Sequence, residues 1–147
     1  MSNLSPVLVA EDEEADVLFL RYAFNAAEIQ NPLVAVGDGR EVLKYLSREA
    51  PYDNADLYPA PVLLLLDLKM PLMTGFEVLD WLRQHQELKT FPVVVLTSSD
   101  HELDRTKALE LGASEYRVKP SGLRNLTTVV QELSERWLKR ATGAAGP

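Results

Sequence analysis

The chain of 147 residues contains no cysteine, and this absence removes several classes of chemistry. Without thiols there is no disulfide framework, no thiol nucleophile and no cysteine-based zinc site. The sequence also lacks an N-terminal signal segment and any apolar run near the roughly 18 residues that a membrane-spanning helix needs. Aromatic residues make up only 7%, and basic residues are outnumbered, so the net charge is −7. That balance argues against a general nucleic-acid surface, and we expect a soluble cytoplasmic protein.

What the sequence does contain is four short apolar segments that each end abruptly in polar side chains. The segments, with the residues that follow them, are 7–10 with Glu11 and Asp12, 62–66 with Asp67, 93–96 with Thr97, and 116–118 with Lys119. Runs rich in branched aliphatic residues are typical of strands buried on both faces of a parallel sheet. Ligands bind at the carboxyl ends of such strands, so we expect these polar residues to form one site.

Helical periodicity alternates regularly with the apolar segments. It predicts helices over residues 13–27, 40–48, 75–84, 102–111 and 123–140, and a further strand over residues 33–36. The proline-containing stretch 49–61 predicts a loop, and the small residues of 141–147 predict a flexible tail. Five strands alternating with five helices predict an α/β fold, a doubly wound parallel sheet with strand order 2-1-3-4-5. We therefore expect one domain over residues 1–147, with its core in residues 6–140.

In that strand order the first and third strands are neighbours, which would bring Glu11, Asp12 and Asp67 into one crevice. Three carboxylates repel one another unless a cation or a proton intervenes. Mg²⁺ favours oxygen ligands of this kind, and a hydroxyl and an ammonium group suit the oxygens of a phosphoryl group. The sequence thus predicts a site for a divalent cation and a phosphoryl group, with Thr97 and Lys119 contributing to it.

The signatures of this site closely resemble, in their order along the chain, the receiver domain of two-component response regulators. They are Glu11-Asp12, the segment from Asp67 to Gly75, Thr97, and Lys119-Pro120. The resemblance extends over about residues 6–133 and implies a flavodoxin-like (βα)5 fold. A closer similarity is to the single-domain response regulators that partner bacterial phytochromes. Its features are the Tyr/Pro/Asp-rich insertion before the third strand, Ser121 and Leu123 after Lys119-Pro120, and a long last helix ending in Trp137-Leu138.

The resemblance implies a role for each residue of the site. Asp67 would accept the phosphoryl group, and Thr97 and Lys119 would contact the phosphoryl oxygens. Such a chain catalyses its own phosphorylation and dephosphorylation and is not otherwise an enzyme. The implied ligands of Mg²⁺, or of another divalent cation, are the side chains of Glu11, Asp12 and Asp67 and the backbone carbonyl of Lys69.

The resemblance also implies a conformational switch formed by Thr97 and Tyr116. On phosphorylation, the Thr97 hydroxyl would move toward the phosphoryl group and leave space into which the Tyr116 ring rotates. In the family the peptide bond that corresponds to Lys119-Pro120 is cis, and we expect the same geometry here.

The partners that the resemblance implies are proteins. The phosphodonor would be a histidine kinase, specifically a bacteriophytochrome, and we expect no nucleic-acid or membrane partner. We expect no output domain after residue 140, so output would pass through a partner protein, a phosphorelay or dimerisation. Trp137 and Leu138 lie beyond the length needed to cover a five-stranded sheet, so we predict a homodimer that buries them. The alternative is that Trp137 folds back onto the first helix.

Two other functions fit the same residues. A pseudo-receiver would bind a partner without phosphate, and a metal-dependent phosphatase would act on an external substrate. Individual residues also have purely structural alternatives. These are helix-capping acids for Glu11 and Asp12, a cap of the fourth helix for residues 97–100, a solvated turn for Lys119 and a passive core aromatic for Tyr116.

Overall fold

Five parallel strands form one sheet in the computed structural model, which describes residues 4–138. They are β1 (Val7–Ala10), β2 (Leu33–Val36), β3 (Leu63–Leu66), β4 (Val93–Thr97) and β5 (Glu115–Val118). Their order, β2-β1-β3-β4-β5, confirms the predicted strand order and the flavodoxin-like fold. Because β1 pairs directly with β3, with Ala10 beside Leu66, the acids that follow these strands leave the sheet at the same edge.

Helices cover both faces of this sheet. They are α1 (Glu14–Ala26), α2 (Gly39–Ser47), α3 (Gly75–Arg83), α4 (Glu102–Glu110) and α5 (Leu123–Leu133). The first and last pack against one face and the other three against the opposite face, so the strands are apolar on both sides. Each helix begins within one residue of its predicted start. None of the helices between residues 4 and 138 combines the length and the apolar character needed to cross a bilayer.

Local capping fixes where α2 and α3 begin beside the sheet edge. The Asp38 carboxylate accepts hydrogen bonds from the backbone N–H groups of Arg40 and Glu41 in the first turn of α2. Thr74 and Glu77 form a capping box at the start of α3. A side chain at Gly75 would place its Cβ 2.4 Å from the carbonyl oxygen of Asp67. Only glycine therefore lets α3 begin this close to the end of β3.

The C-terminal end of the last helix differs from the prediction. α5 ends at Leu133, and Ser134–Leu138 form a π-helical turn, while the predicted residues 139–140 and the predicted tail 141–147 lie outside the described residues. A π-helix brings residue i+5 over residue i. Leu138 consequently lies over Leu133 and is only 3% exposed. The prediction that Leu138 lies beyond the part of the helix that the core covers is wrong.

Trp137 is also held within the chain. Its ring packs at the edge of the apolar cluster to which α1 and α5 contribute, and its Nε1 donates a hydrogen bond to Glu115 Oε1 at 2.9 Å. The monomer therefore buries Leu138 and covers part of Trp137, the two residues on which the predicted homodimer interface was based. Homodimerisation stays a prediction, but it has lost this argument.

Glu115 is the anchor of the C-terminal turn. Besides Trp137, its carboxylate pairs with Arg117 at 3.2 Å and with Arg136 at 2.8 Å. Burial by itself would raise the pKa of Glu115, but the hydrogen bonds from Trp137, Arg136 and Arg117 outweigh it and lower that pKa below its ordinary value. The charged form of Glu115 is thus the one that the fold stabilises.

Glu115→Gln should destabilise the fold by about 1–3 kcal/mol at neutral pH, because three donors lose a charged, largely buried acceptor. The pKa of Glu115 is lower in the folded chain than in the unfolded chain. Its contribution is therefore present above the ordinary glutamate pKa of about 4.3 and is lost as the pH falls through the folded-state value. Urea unfolding at neutral pH and at about pH 3 measures the difference in unfolding free energy between wild type and Glu115→Gln. This difference should be smaller at the lower pH.

Glu132→Gln is the matched control. It removes the same charge from the other carboxylate that pairs with Arg117, but the Glu132 side chain is 50% exposed. Its cost should stay below about 1 kcal/mol. Equal losses in the two variants would contradict the role given to Glu115.

Candidate functional site

Three acids meet where β1 and β3 end. Glu11 is buried, Asp12 is exposed, and the largely buried Asp67 follows β3 directly. The backbone N–H of Asp67 donates to the Ala10 carbonyl at 3.1 Å, which fixes the two strand ends side by side. One carboxylate oxygen from each acid lies within 4.8 Å of the others. The structure therefore brings together the three side chains that the strand order was expected to assemble.

The ammonium group of Lys119 lies between carboxylates. Its Nζ is 2.5 Å from Glu11 Oε1, 2.7 Å from Asp16 Oδ2 and 3.3 Å from Asp67 Oδ2. Burial alone would lower the pKa of Lys119, but the hydrogen bonds to Asp16 and Glu11 outweigh it and raise that pKa above its ordinary value. Lys119 therefore stays charged, and it is not a solvated turn residue.

Asp16 is a member of the site that the sequence analysis missed. The sequence pattern indicates only an acid in the first turn of α1, where acids favour the helix dipole. Its direction was not readable from the sequence, because it depends on where the Lys119 side chain crosses the strand ends. The structure places the Asp16 carboxylate beside the Lys119 ammonium group.

The charge balance of the site favours a divalent cation. The ammonium group of Lys119 pairs with Glu11, Asp16 and Asp67, and Asp12 adds a fourth carboxylate beside Glu11 and Asp67. Burial raises the pKa of Glu11 above its ordinary value, although hydrogen bonds from Lys119 and from the backbone N–H of Glu13 act against this. Hard oxygen ligands with a surplus of negative charge are the donor set that Mg²⁺ and similar cations prefer. The three mutually close acids therefore fit such a cation.

The acidic pocket opens toward solvent on the side of Asp12, whose side chain is exposed. A cleft there is lined by Asp12, Lys69, Thr74 and Asp104, among others. Lys69 thus borders the same space as Asp12, which is compatible with the predicted role of its backbone carbonyl. That role stays a prediction.

Thr97 closes the far side of the site at the end of β4. It is buried, and its carbonyl accepts a hydrogen bond from the backbone N–H of Lys119 at 2.7 Å. Its hydroxyl accepts the backbone N–H of Ser99 at 3.4 Å. Thr97 and Lys119 are therefore fixed to each other by β4 and β5.

Tyr116 is already turned inward in this structure. Its ring is buried, and its hydroxyl donates to the carbonyl of Ser99 at 2.8 Å, with the Arg105 guanidinium 5.7 Å from the ring centre. The inward rotation predicted for Tyr116 on phosphorylation is thus not needed to reach the buried position. Whether Thr97 and Tyr116 form a switch stays a prediction, and the structure adds Ser99 as the residue that connects them.

The start of α4 differs from the predicted cap. Its N-cap residue, His101, makes no side-chain capping bond. The Ser99 hydroxyl instead accepts the backbone N–H of His101 at 3.3 Å and donates to Asp104 Oδ2 at 2.6 Å. Ser99, which lies in the predicted capping stretch 97–100, is thereby attached to the first turn of α4 although it is not the N-cap residue.

The expectation of a cis Lys119-Pro120 bond is wrong. Among residues 4–138, the cis peptide bond is Ala50-Pro51. Lys119 reaches the acids with a trans bond, because the hydrogen bond between its N–H and the Thr97 carbonyl already aims the side chain across the strand ends. The trans form is also the intrinsically favoured one, by about 0.5–1 kcal/mol.

The fold and the site together define a doubly wound α/β module with an acidic pocket at the switch point of its sheet. Residues 7–131 match the response regulator receiver domain family. The response regulator Rcp1 of Synechocystis sp. is 35% identical over 136 residues, which cover 92% of this chain and 90% of Rcp1. The chain therefore belongs to the response regulator receiver domain family, whose members are signalling modules rather than conventional enzymes.

Solved structures agree with this assignment. The phosphorylated cyanobacterial phytochrome response regulator RcpA has a TM-score of 0.83 and 34% identity, over 92% of this chain and 94% of that one. RPA3017, a response regulator in red light signaling of R. palustris, has a TM-score of 0.87 and 33% identity, over 91% and 94%. The Mn²⁺-bound form of Rcp1 has a TM-score of 0.79 and 34% identity, over 91% and 94%. The predicted similarity to phytochrome response regulators is confirmed.

Proposed function

We propose that this chain is a cytoplasmic single-domain response regulator that accepts a phosphoryl group from a histidine kinase on Asp67 in a Mg²⁺-dependent reaction. The observation that carries the proposal is the position of Asp67, largely buried between two other acids and the Lys119 ammonium group. Two similar proteins support the proposal, because RcpA has been solved in a phosphorylated form and Rcp1 in a Mn²⁺-bound form. The similarity to phytochrome response regulators makes a bacteriophytochrome the proposed kinase.

The residues of the site divide the chemistry between them. A carboxylate oxygen of Asp67 forms a bond to phosphorus as the phosphorus–nitrogen bond of the donor phosphohistidine breaks, and the imidazole nitrogen keeps the electron pair. Lys119 and Thr97 meet the phosphoryl oxygens from the side of β4 and β5. A divalent cation held by Glu11, Asp12 and Asp67 supplies neutralisation of the phosphoryl charge when it is bound.

Incubation with Mg²⁺ and acetyl phosphate, followed by intact mass measurement, tests this function. The expected result is a mass gain of one phosphoryl group that is absent without Mg²⁺. A chain that stays unmodified while it binds a partner protein would instead be a pseudo-receiver. Release of phosphate from many external substrates without modification of the chain would support the phosphatase alternative.

Substitution of Asp12 should remove the effect of Mg²⁺ on the melting temperature while the chain still folds. Mg²⁺ should raise the melting temperature of the wild type, because the cation binds the folded site more tightly than the dispersed acids of the unfolded chain. Asp12→Ala should lose most of this rise, and Asp38→Ala, which removes an acid that caps α2, should keep it. A melting temperature that ignores millimolar Mg²⁺ in the wild type would contradict the cation site.

The outer face of α1 supports a protein phosphodonor. Leu18, Phe19 and Tyr22 are each about half exposed, although Leu20 and Phe24 already bury the inner face of the same helix. A cavity of about 190 Å³ lies between α1 and the start of α5, lined in part by Asp16, Phe19, Lys119 and Pro120. An apolar helix face that adjoins the acceptor pocket fits a partner that must bring its phosphohistidine to Asp67.

Replacement of Phe19 and Tyr22 by serine should slow phosphotransfer from an autophosphorylated bacteriophytochrome kinase by about ten-fold or more. Phosphorylation by acetyl phosphate should be unchanged, because the small donor does not need this surface. Leu103→Ser is the control, since Leu103 is 84% exposed on α4. Unchanged transfer from the kinase, or equal loss with both donors, would contradict the docking surface.

Output is proposed to run through altered protein contacts. The hydrogen bond from Tyr116 to Ser99 connects β5 to the loop before α4. A movement of Thr97 can therefore reach the surface formed by β5 and α4 through Ser99. Homodimerisation remains part of the proposal as one route of output. Its interface is not assigned to Trp137 and Leu138.

A further inference from the structure

One contact of the site has no role in the proposed reaction. Of the three carboxylates around Lys119, Asp67 is the acceptor and Glu11 is a proposed cation ligand. Asp16 has neither function, and it does not belong to the group of three acids that could share a cation. Nevertheless, its oxygen lies closer to the lysine Nζ, at 2.7 Å, than the acceptor does, at 3.3 Å.

Lys119 has no donor to spare in this arrangement. An ammonium group has three N–H donors, and three carboxylates accept from it. The lysine side chain is only 19% exposed, so water does not easily replace a lost partner. Any firmer contact with phosphoryl oxygens at Asp67 must therefore compete with the carboxylates that hold the ammonium group on the side of α1.

We propose that Asp16 is a positioning residue that holds the Lys119 ammonium toward α1 and so weakens the grip of Lys119 on the phosphoryl group. The inference rests on the proposed function, because it concerns the lysine of the phosphorylation site. Asp16 acts through Lys119 and does not touch the phosphoryl group itself. The contact belongs to α1, the helix whose outer face we assign to the phosphodonor.

The test is the affinity for beryllofluoride, a stable phosphoryl mimic, measured by isothermal titration calorimetry in Mg²⁺-containing buffer. Asp16→Asn should bind the mimic about two- to five-fold more tightly than the wild type, which is the range for a partly exposed ion pair, since the Asp16 side chain is 36% exposed. Asp16→Glu, which restores the charge, should return the affinity toward the wild-type value.

Glu14→Gln is the matched control, because it removes one negative charge from an exposed position in the first turn of the same helix. Its affinity should equal that of the wild type. Unchanged or weaker binding by Asp16→Asn, or an equal gain in Glu14→Gln, would overturn the inference. A wild type that binds no beryllofluoride would overturn the proposed function instead, so the two failures are distinguishable.

A double-mutant cycle with Lys119→Met identifies the route of the effect. If Asp16 acts through Lys119, Asp16→Asn brings no gain in affinity when the lysine is absent. A gain that persists in the Lys119→Met background would overturn the inference. If that background binds the mimic too weakly to titrate, the comparison of Asp16→Asn, Asp16→Glu and Glu14→Gln decides alone.

Discussion

Asp67→Asn is expected to abolish phosphorylation and, in the absence of divalent cations, to raise the melting temperature by about 3–8 °C. The loss of phosphorylation follows from the loss of the nucleophilic carboxylate with almost no change of shape. The gain in stability follows from the surroundings of Asp67. Two other acids contribute carboxylate oxygens within 4.8 Å of its own, and only one ammonium group compensates them.

The balance of charges decides the sign of the stability change. A like-charge pair about 5 Å apart costs roughly 3 kcal/mol at an effective dielectric constant of about 20, and less where water screens it. Asp67→Asn removes two such repulsions, with Glu11 and Asp12. It also removes one attraction, but the 3.3 Å contact with Lys119 is the longest of the three that the lysine makes. We expect a net gain of about 1–3 kcal/mol.

Thermal unfolding with a chelator and with Mg²⁺ measures this prediction. Without the cation the variant should be the more stable protein, and with saturating Mg²⁺ the wild type should regain most or all of the difference. Asp53→Asn, in the exposed loop before β3, is the control for the change in net charge and should melt like the wild type. Lower stability of Asp67→Asn in the chelator would contradict the proposed repulsion among the three acids. Continued phosphorylation of this variant would contradict the assignment of Asp67 as the phosphoryl acceptor.

The central part of the site was predictable because it depends on strand order. Once β1 and β3 are neighbours, the residues that follow them must meet, whatever the details of packing. To predict that Glu11 and Asp67 lie close together, it was enough to recognise two apolar segments as parallel strands. Gly75 was recognisable from the sequence as part of a signature. Only the three-dimensional structure shows why this residue is a glycine, which is that α3 begins against the Asp67 carbonyl.

The parts that were not predicted depend on side-chain direction and on small changes of helical phase. Asp16 could contact solvent or the site, and only the path of Lys119 across the strand ends decides between them. The π-helical turn rotates Leu138 onto the core by changing the residue spacing, and the helix length from which Leu138 was expected to lie beyond the sheet does not reveal such a turn. The inward position of Tyr116 depends on one hydrogen bond to a loop carbonyl, which no sequence pattern encodes.

Lys119→Met is expected to have the largest effect on the fold, a loss of about 3–5 kcal/mol in chelator. Methionine keeps the length and apolar character of the lysine stem, so the change removes mainly the charge. Glu11 is buried, with a side chain only 3% exposed, and it would then lack its ammonium partner. Removal of one partner from a buried ion pair is costly because the remaining charge stays out of water.

Mg²⁺ should restore part of the stability that Lys119→Met loses, because a cation among the same acids replaces the missing positive charge. The stabilisation by Mg²⁺ should consequently be larger in the variant than in the wild type, and urea unfolding with and without Mg²⁺ measures both values. Lys89→Met, an exposed lysine before β4, is the matched control and should change stability by less than about 0.5 kcal/mol. Equal effects of the two substitutions, or a deficit that Mg²⁺ leaves unchanged, would contradict the view that Lys119 serves as the internal counter-charge of an acidic cation pocket.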